Sequence, residues 1–129
     1  MSGFKDDIIS ILRHTNMFHR ESIGLIRGDS LRVKELLDYL GDRKLLADIK
    51  VYPITTYDYV VILSEDVSTP NVLKSLAILN TGGIIILEIT EKQRKYQEKY
   101  LRIGSMSATK LHYEDRYYLV IHAGEDYGH

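Results

Sequence analysis

Two uninterrupted apolar runs, 59–63 (YVVIL) and 84–87 (IIIL), stand one short helix apart within residues 57–89, and they constrain the fold more than any other feature of the chain. A run that is apolar at every position and rich in β-branched residues suits a strand covered on both faces, because a half-solvated strand alternates. Between the runs, Ser68 or Thr69 can cap a helix and Pro70 has the fixed φ and missing N–H of a first helical position. Val72, Leu73, Leu76, Ala77 and Leu79 then recur at helical spacing, and Asn80, Thr81, Gly82 and Gly83 read as the helix stop before the second strand. The unit of 33 residues has the size of a right-handed crossover between parallel strands. An α/β architecture follows.

The flanks extend it. Residues 3–17 predict an amphipathic helix with Phe4, Ile8, Ile11 and Leu12 on one face, Ser2 as its cap, and a place at the edge of the domain. Residues 22–27 (SIGLIR) read as a first parallel strand, Gly28, Asp29 and Ser30 as a turn, and 31–40 as a helix stopped near Gly41. Residues 48–54 (DIKVYPI) form a strand, but only Thr55 and Thr56 separate it from Tyr57, too little for a parallel crossover. It is therefore expected at an edge or beside the central strand. Residues 91–103 predict a helix stopped by Gly104, and 109–113 and 117–122 pair as an antiparallel hairpin across Glu114, Asp115 and Arg116. The polar tail AGEDYGH is expected to fray.

Composition excludes several function classes. The chain has room for one domain, 1–129, with 17 basic against 18 acidic residues, so no global field exists to capture nucleic acid or an anionic membrane. There is no cysteine, which removes thiolate metal sites and nucleophiles and fits a cytoplasmic location. The acidic N-terminus is not that of a secretory signal, and no apolar run approaches the roughly 20 residues that span a bilayer. His14 and His19 are five apart, which sets them about 140° apart on a helix rather than stacked as metal ligands. His112, His122 and His129 show no ligand spacing either.

Three places could carry chemistry. Glu65 and Asp66 follow the central strand at its carboxyl end, where open α/β sheets bind ligands; they could face a substrate, or simply favour the next helix N-terminus. The turn Arg27-Gly28-Asp29-Ser30 could hold an anion on its N–H groups, or simply cap a helix; Arg27 is the unusual member, since a cation there needs solvent or an anionic partner. Lys92, Arg94, Lys95, Lys99 and Arg102 with Tyr96 and Tyr100 could form a nucleic-acid surface, but Glu91 and Glu98 dilute them and a solvated helix face is the better reading. Tyr113, Tyr117 and Tyr118 of the hairpin could cover an interface, or form the skin of an ordinary sheet.

Residues 57–123 resemble the C-terminal half of a class I, S-adenosylmethionine-dependent methyltransferase domain. The resemblance rests on YDYVVIL, a helix, NTGGIIILEI, a helix closing on Arg102-Ile103-Gly104, and a hairpin ending in YYLVIHA, with Asp58 at a position where that family often has aspartate. It implies a three-layer, Rossmann-like sheet, mainly parallel, with a C-terminal antiparallel hairpin. It also implies that Arg27, Gly28 and Asp29 stand where the cofactor would bind, and Glu65 and Asp66 where substrate would lie. The first half departs from the family. Its first turn has one glycine rather than three, Arg27 replaces an expected carboxylate, and DIKVYPI ends without the acidic residue that would bind the ribose. A shortened relative that has lost its cofactor site is expected: a non-catalytic binding or assembly module, with a second copy or another protein as partner and no cofactor. The alternatives are an active methyltransferase that binds S-adenosylmethionine in an atypical site, and a phosphate- or nucleotide-binding module using Arg27 and the Gly28 turn.

Overall fold

Six strands form one sheet in the order β2-β1-β3-β4-β6-β5 in a computed structural model that describes residues 3–18, 22–40, 45–46, 56–96 and 107–123. In chain order the elements are α1 (Phe4–His14), β1 (Gly24–Arg27), α2 (Ser30–Leu40), β2 (Leu45–Leu46), β3 (Tyr57–Ile62), α3 (Thr69–Leu76), β4 (Leu79–Ile89), β5 (Ser107–Tyr113) and β6 (Arg116–His122). The four strands β2, β1, β3 and β4 are parallel; β6 pairs antiparallel with β4, and β5 with β6. This is the expected three-layer α/β sheet with its terminal hairpin.

The continuous apolar runs are explained by what covers them. On one face Ile26, Tyr59, Val61, Ile84, Ile86, Tyr118 and Val120 pack with Ile8, Ile11 and Leu12 of α1 and with Leu36 and Leu40 of α2. On the other, Leu25, Val60, Ile62, Ile85, Leu87, Leu119 and Ile121 pack with Val72 of α3. Residues 59–63 and 84–87 are all at most 2% exposed, so neither strand has a wet face to alternate toward. Helix α1 is thus a layer of the core rather than an edge element, and its cap is Gly3, without a side-chain hydrogen bond; Ser2 lies outside the described residues.

Two expectations need correction. Helix α3 ends at Leu76, and 80–83 belong to strand β4 rather than to a helix stop. The cause is a tether to the neighbouring strand: Asn80 donates to Asp58 Oδ1 at 2.9 Å and accepts from Thr56 Oγ1 at 2.5 Å, fixing the segment against β3. The β3–β4 register jumps here, from Tyr57 opposite Leu79 to Tyr59 opposite Ile84. Gly82 takes φ 82° at this bulge, and a Cβ on Gly83 would lie 2.8 Å from the Asp58 carbonyl oxygen. Leu73, expected on the buried face of α3, is 51% exposed.

The second correction concerns 91–96, which form a turn and a 3₁₀ turn (Arg94–Tyr96) rather than an α-helix. The start signal is present, since Thr90 N–H donates to Gln93 Oε1 at 2.8 Å and Gln93 N–H to Thr90 Oγ1 at 3.2 Å. Opening turns of this kind are commonly 3₁₀. Lys99, Tyr100 and Arg102 lie outside the described residues. Leu45 and Leu46 form a strand beside β1, opposite Gly24 and Leu25; the strand expected at 48–54 lies outside the described residues, as do His19 and 124–129.

The hairpin matches its expectation, with Glu114 at φ 56° in the two-residue turn. Tyr118, offered above as an interface residue, is fully buried, and its hydroxyl donates to Asp7 of α1 at 2.6 Å. Arg116 grips the same carboxylate through Nε at 2.5 Å and Nη2 at 3.2 Å.

Candidate functional site

In this strand order the topological switch point lies between β1 and β3, so the crevice where such sheets bind ligands opens at the carboxyl ends of those strands. The turn after β1 and the turn after β3 form its two lips.

The first lip carries Arg27, Gly28 and Asp29. Asp29 caps α2: its carbonyl accepts Val33 N–H at 2.9 Å and its Oδ2 accepts Leu31 N–H at 3.2 Å. Gly28 has φ 157°, and a Cβ there would stand 2.7 Å from Cβ of Leu63, which is fully buried. The room that glycine leaves is thus taken by the protein's own core. Arg27 follows Leu25 by two positions and so faces the α3 side. Its Nε is buried without a hydrogen-bond partner, and no ion pair joins Arg27 to Glu65 or Asp66.

The second lip is the 3₁₀ turn Ser64–Asp66. Glu65 does not face an open crevice. Arg32, in the first turn of α2, reaches over the end of β3 and donates through Nη1 to both Glu65 oxygens at 2.6 and 2.8 Å. The same guanidinium binds Glu88 of β4, through Nη1 at 2.8 Å and Nη2 at 2.5 Å. Glu88 also accepts Ser64 N–H at 2.9 Å, and the Phe4 ring of α1 lies 4.4 Å from the Arg32 guanidinium carbon. The Asp66 carbonyl accepts a hydrogen bond from Asn71 Nδ2 at 2.6 Å, and the Asp66 carboxylate has no partner among the described residues.

The electrostatics follow from this geometry. Burial pushes the Glu88 carboxyl up, but the Arg32 hydrogen bond, the Ser64 N–H and the guanidinium charge outweigh it and hold the group below its ordinary value. Arg32 is correspondingly raised, chiefly by its hydrogen bond to Glu88. Four elements, α1, α2, β4 and the turn after β3, are tied at one point, which makes this a bridge across the crevice mouth.

Arg32 and Glu88 were not singled out from the sequence. Glu88 carried a signal, because a carboxylate inside the run IIILEI needs a partner. Of the basic cluster, Arg94 pairs with Glu91 at 3.1 Å and lies 4.0 Å from the centre of the Tyr117 ring, a contact with the hairpin. Among the described residues no group of three or more His, Asp or Glu is placed to hold a metal ion, and no helix is long and apolar enough to cross a membrane. Away from the crevice, one cavity of about 330 Å³ lies between α1 and the hairpin, and one of about 350 Å³ between α1 and α2.

No protein-family model matches the sequence, and no curated protein matches it. Solved structures do. A methyltransferase from Geobacter sulfurreducens superposes with a TM-score of 0.61 at 11% identity, covering 95% of this chain and 80% of that one. Phosphoethanolamine N-methyltransferase 2 from Haemonchus contortus, in complex with S-adenosyl-L-methionine, gives 0.60 at 13% identity, over 92% of this chain but 36% of that one. A methyltransferase from Pyrococcus furiosus gives 0.58 at 15% identity, covering 93% and 83%. The chain has a Rossmann-like fold of the class I methyltransferase type. At these identities the likeness extends to the fold alone.

Proposed function

We propose that this chain is a methyltransferase-like module that does not transfer methyl groups and acts by binding or assembly, with a second copy or another protein as its partner. One observation carries this reading: Arg32 bridges Glu65 and Glu88 across the mouth of the ligand crevice. The filling of the Gly28 niche by Leu63 and the use of Asp29 as a helix cap add to it. To serve an active enzyme, Glu65 would have to leave Arg32 before facing substrate, stranding part of a hydrogen-bonded charge cluster.

Isothermal titration calorimetry of the folded chain with S-adenosylmethionine and S-adenosylhomocysteine tests the reading, beside a light-scattering mass. No saturable heat is expected, and a mass above one chain would identify self-assembly. Binding of either compound at one per chain with micromolar affinity would overturn it in favour of an active methyltransferase with an atypical site.

A second reading, a phosphate- or nucleotide-binding module, is favoured by Arg27, whose buried Nε has no hydrogen-bond partner. Such an Nε is costly unless an anion or water meets it. Under this reading a nucleotide binds, inorganic phosphate competes, and Arg27→Ala weakens the affinity; unchanged affinity in that variant would remove it.

A further inference from the structure

The cavity between α1 and the hairpin lies on the face opposite α3, and His122 on its wall stands level with Ile84, four residues before the Glu88 of the crevice bridge. Its lining has two chemistries. Ile11, Leu111 and Val120 are apolar, and Ile11 and Val120 are buried in the core. Around them converge His14, His122 and Tyr113. His14 Nδ1 lies 2.8 Å from the Ser10 carbonyl oxygen, which can only accept, so Nδ1 carries the proton and Nε2 is left uncommitted. Neither the His122 ring nor the Tyr113 hydroxyl has a hydrogen bond among the described residues. No carboxylate lines the cavity.

We infer that this cavity binds a small amphipathic acid, an aromatic or branched aliphatic carboxylate. Its hydrocarbon part lies on Ile11, Leu111 and Val120, and its carboxylate is met by the two imidazoles and the Tyr113 hydroxyl. A volume of about 330 Å³ is room for on the order of ten water-sized groups, a small molecule rather than a helix or strand. The donors accommodate an acceptor head group, and the absence of a lining carboxylate means that an anion meets no like charge there while a ligand cation would find no counter-ion. This site stands whether or not the crevice holds a cofactor.

The test is a two-dimensional amide NMR titration of the labelled full chain with benzoate and 3-phenylpropionate, using benzyl alcohol as the neutral control. Saturable shifts are expected at Thr15, Leu111 and His122, with benzoate bound more tightly than the alcohol. His122→Phe should weaken benzoate about tenfold, the loss of one charge-assisted hydrogen bond. His14→Gln, at an exposed position, should do the same. Absence of saturable shifts at these residues would overturn the site, and equal binding of benzyl alcohol and benzoate would overturn the carboxylate assignment.

Discussion

At the scale of the residue, Gly28 and Arg32 define the crevice. Gly28→Ala sets a methyl group against Leu63 and strains a backbone that only glycine adopts easily. We expect a loss of about 1–3 kcal/mol in urea denaturation, with α2 retained by circular dichroism. Arg32→Ala leaves the Glu88 carboxylate, 13% exposed, without its counter-charge and with Ser64 as its remaining donor. Because Arg32 and Glu65 are about 30% exposed and solvent screens them, the expected loss at neutral pH is about 1–2 kcal/mol, below that of a fully buried pair. The pH dependence fixes its origin. Glu88 is held below its ordinary value in the fold, so its contribution is present above the unfolded value of about 4.3 and is lost as pH falls through the folded one. The difference between wild type and Arg32→Ala should therefore shrink on acidification; a difference that stays constant from neutral to acid pH would assign the loss to packing against Phe4 instead.

At the scale of the element, one carboxylate joins the first helix to the last hairpin. Asp7 is 2% exposed and is shared by Arg116 and Tyr118, so α1 and β6 meet through a single acceptor 109 residues from Arg116. Asp7→Ala leaves the buried Tyr118 hydroxyl without its acceptor and should cost about 2–3 kcal/mol, read as a lower urea midpoint at unchanged slope. Combining it with Tyr118→Phe should cost less than the sum of the two changes, because both remove the same bond. Elements of this kind divide by how local their cause is. The strands were legible because continuous β-branched runs such as 84–87 report two-sided burial directly, and α3 because Ser68 caps it by accepting Asn71 N–H at 3.2 Å. Its end was not legible: the Gly82-Gly83 pair reads as a helix stop, whereas Asp58 and Asn80 hold it in a strand bulge through a contact 22 residues apart.

At the scale of the whole molecule, the sheet keeps two phenols un-ionised. Burial raises Tyr118, helped by its bond to Asp7, and burial beside Asp58 raises Tyr59. Stability should thus be full below the unfolded value of about 10 and fall as pH rises beyond it, because the unfolded chain releases protons that the fold retains. Tyr118→Phe should flatten that alkaline decline in thermal unfolding, and an unchanged slope would place the loss in Tyr59 or elsewhere. Much less of the crevice than of the sheet could be read in advance. Arg27, Gly28, Asp29, Glu65 and Asp66 lie in the turns after β1 and β3, but the charges there are tied together by Arg32 and Glu88, 56 residues apart and joined by no spacing rule. The bridge between those two also bears on how such a crevice changes over generations. Losing Arg32 alone strands Glu88, and losing Glu88 alone leaves Arg32 short of a counter-charge, so each first step meets a penalty that the second relieves. Two positions tied in this way are coupled by epistasis, so changes at the two should be tolerated better together than singly.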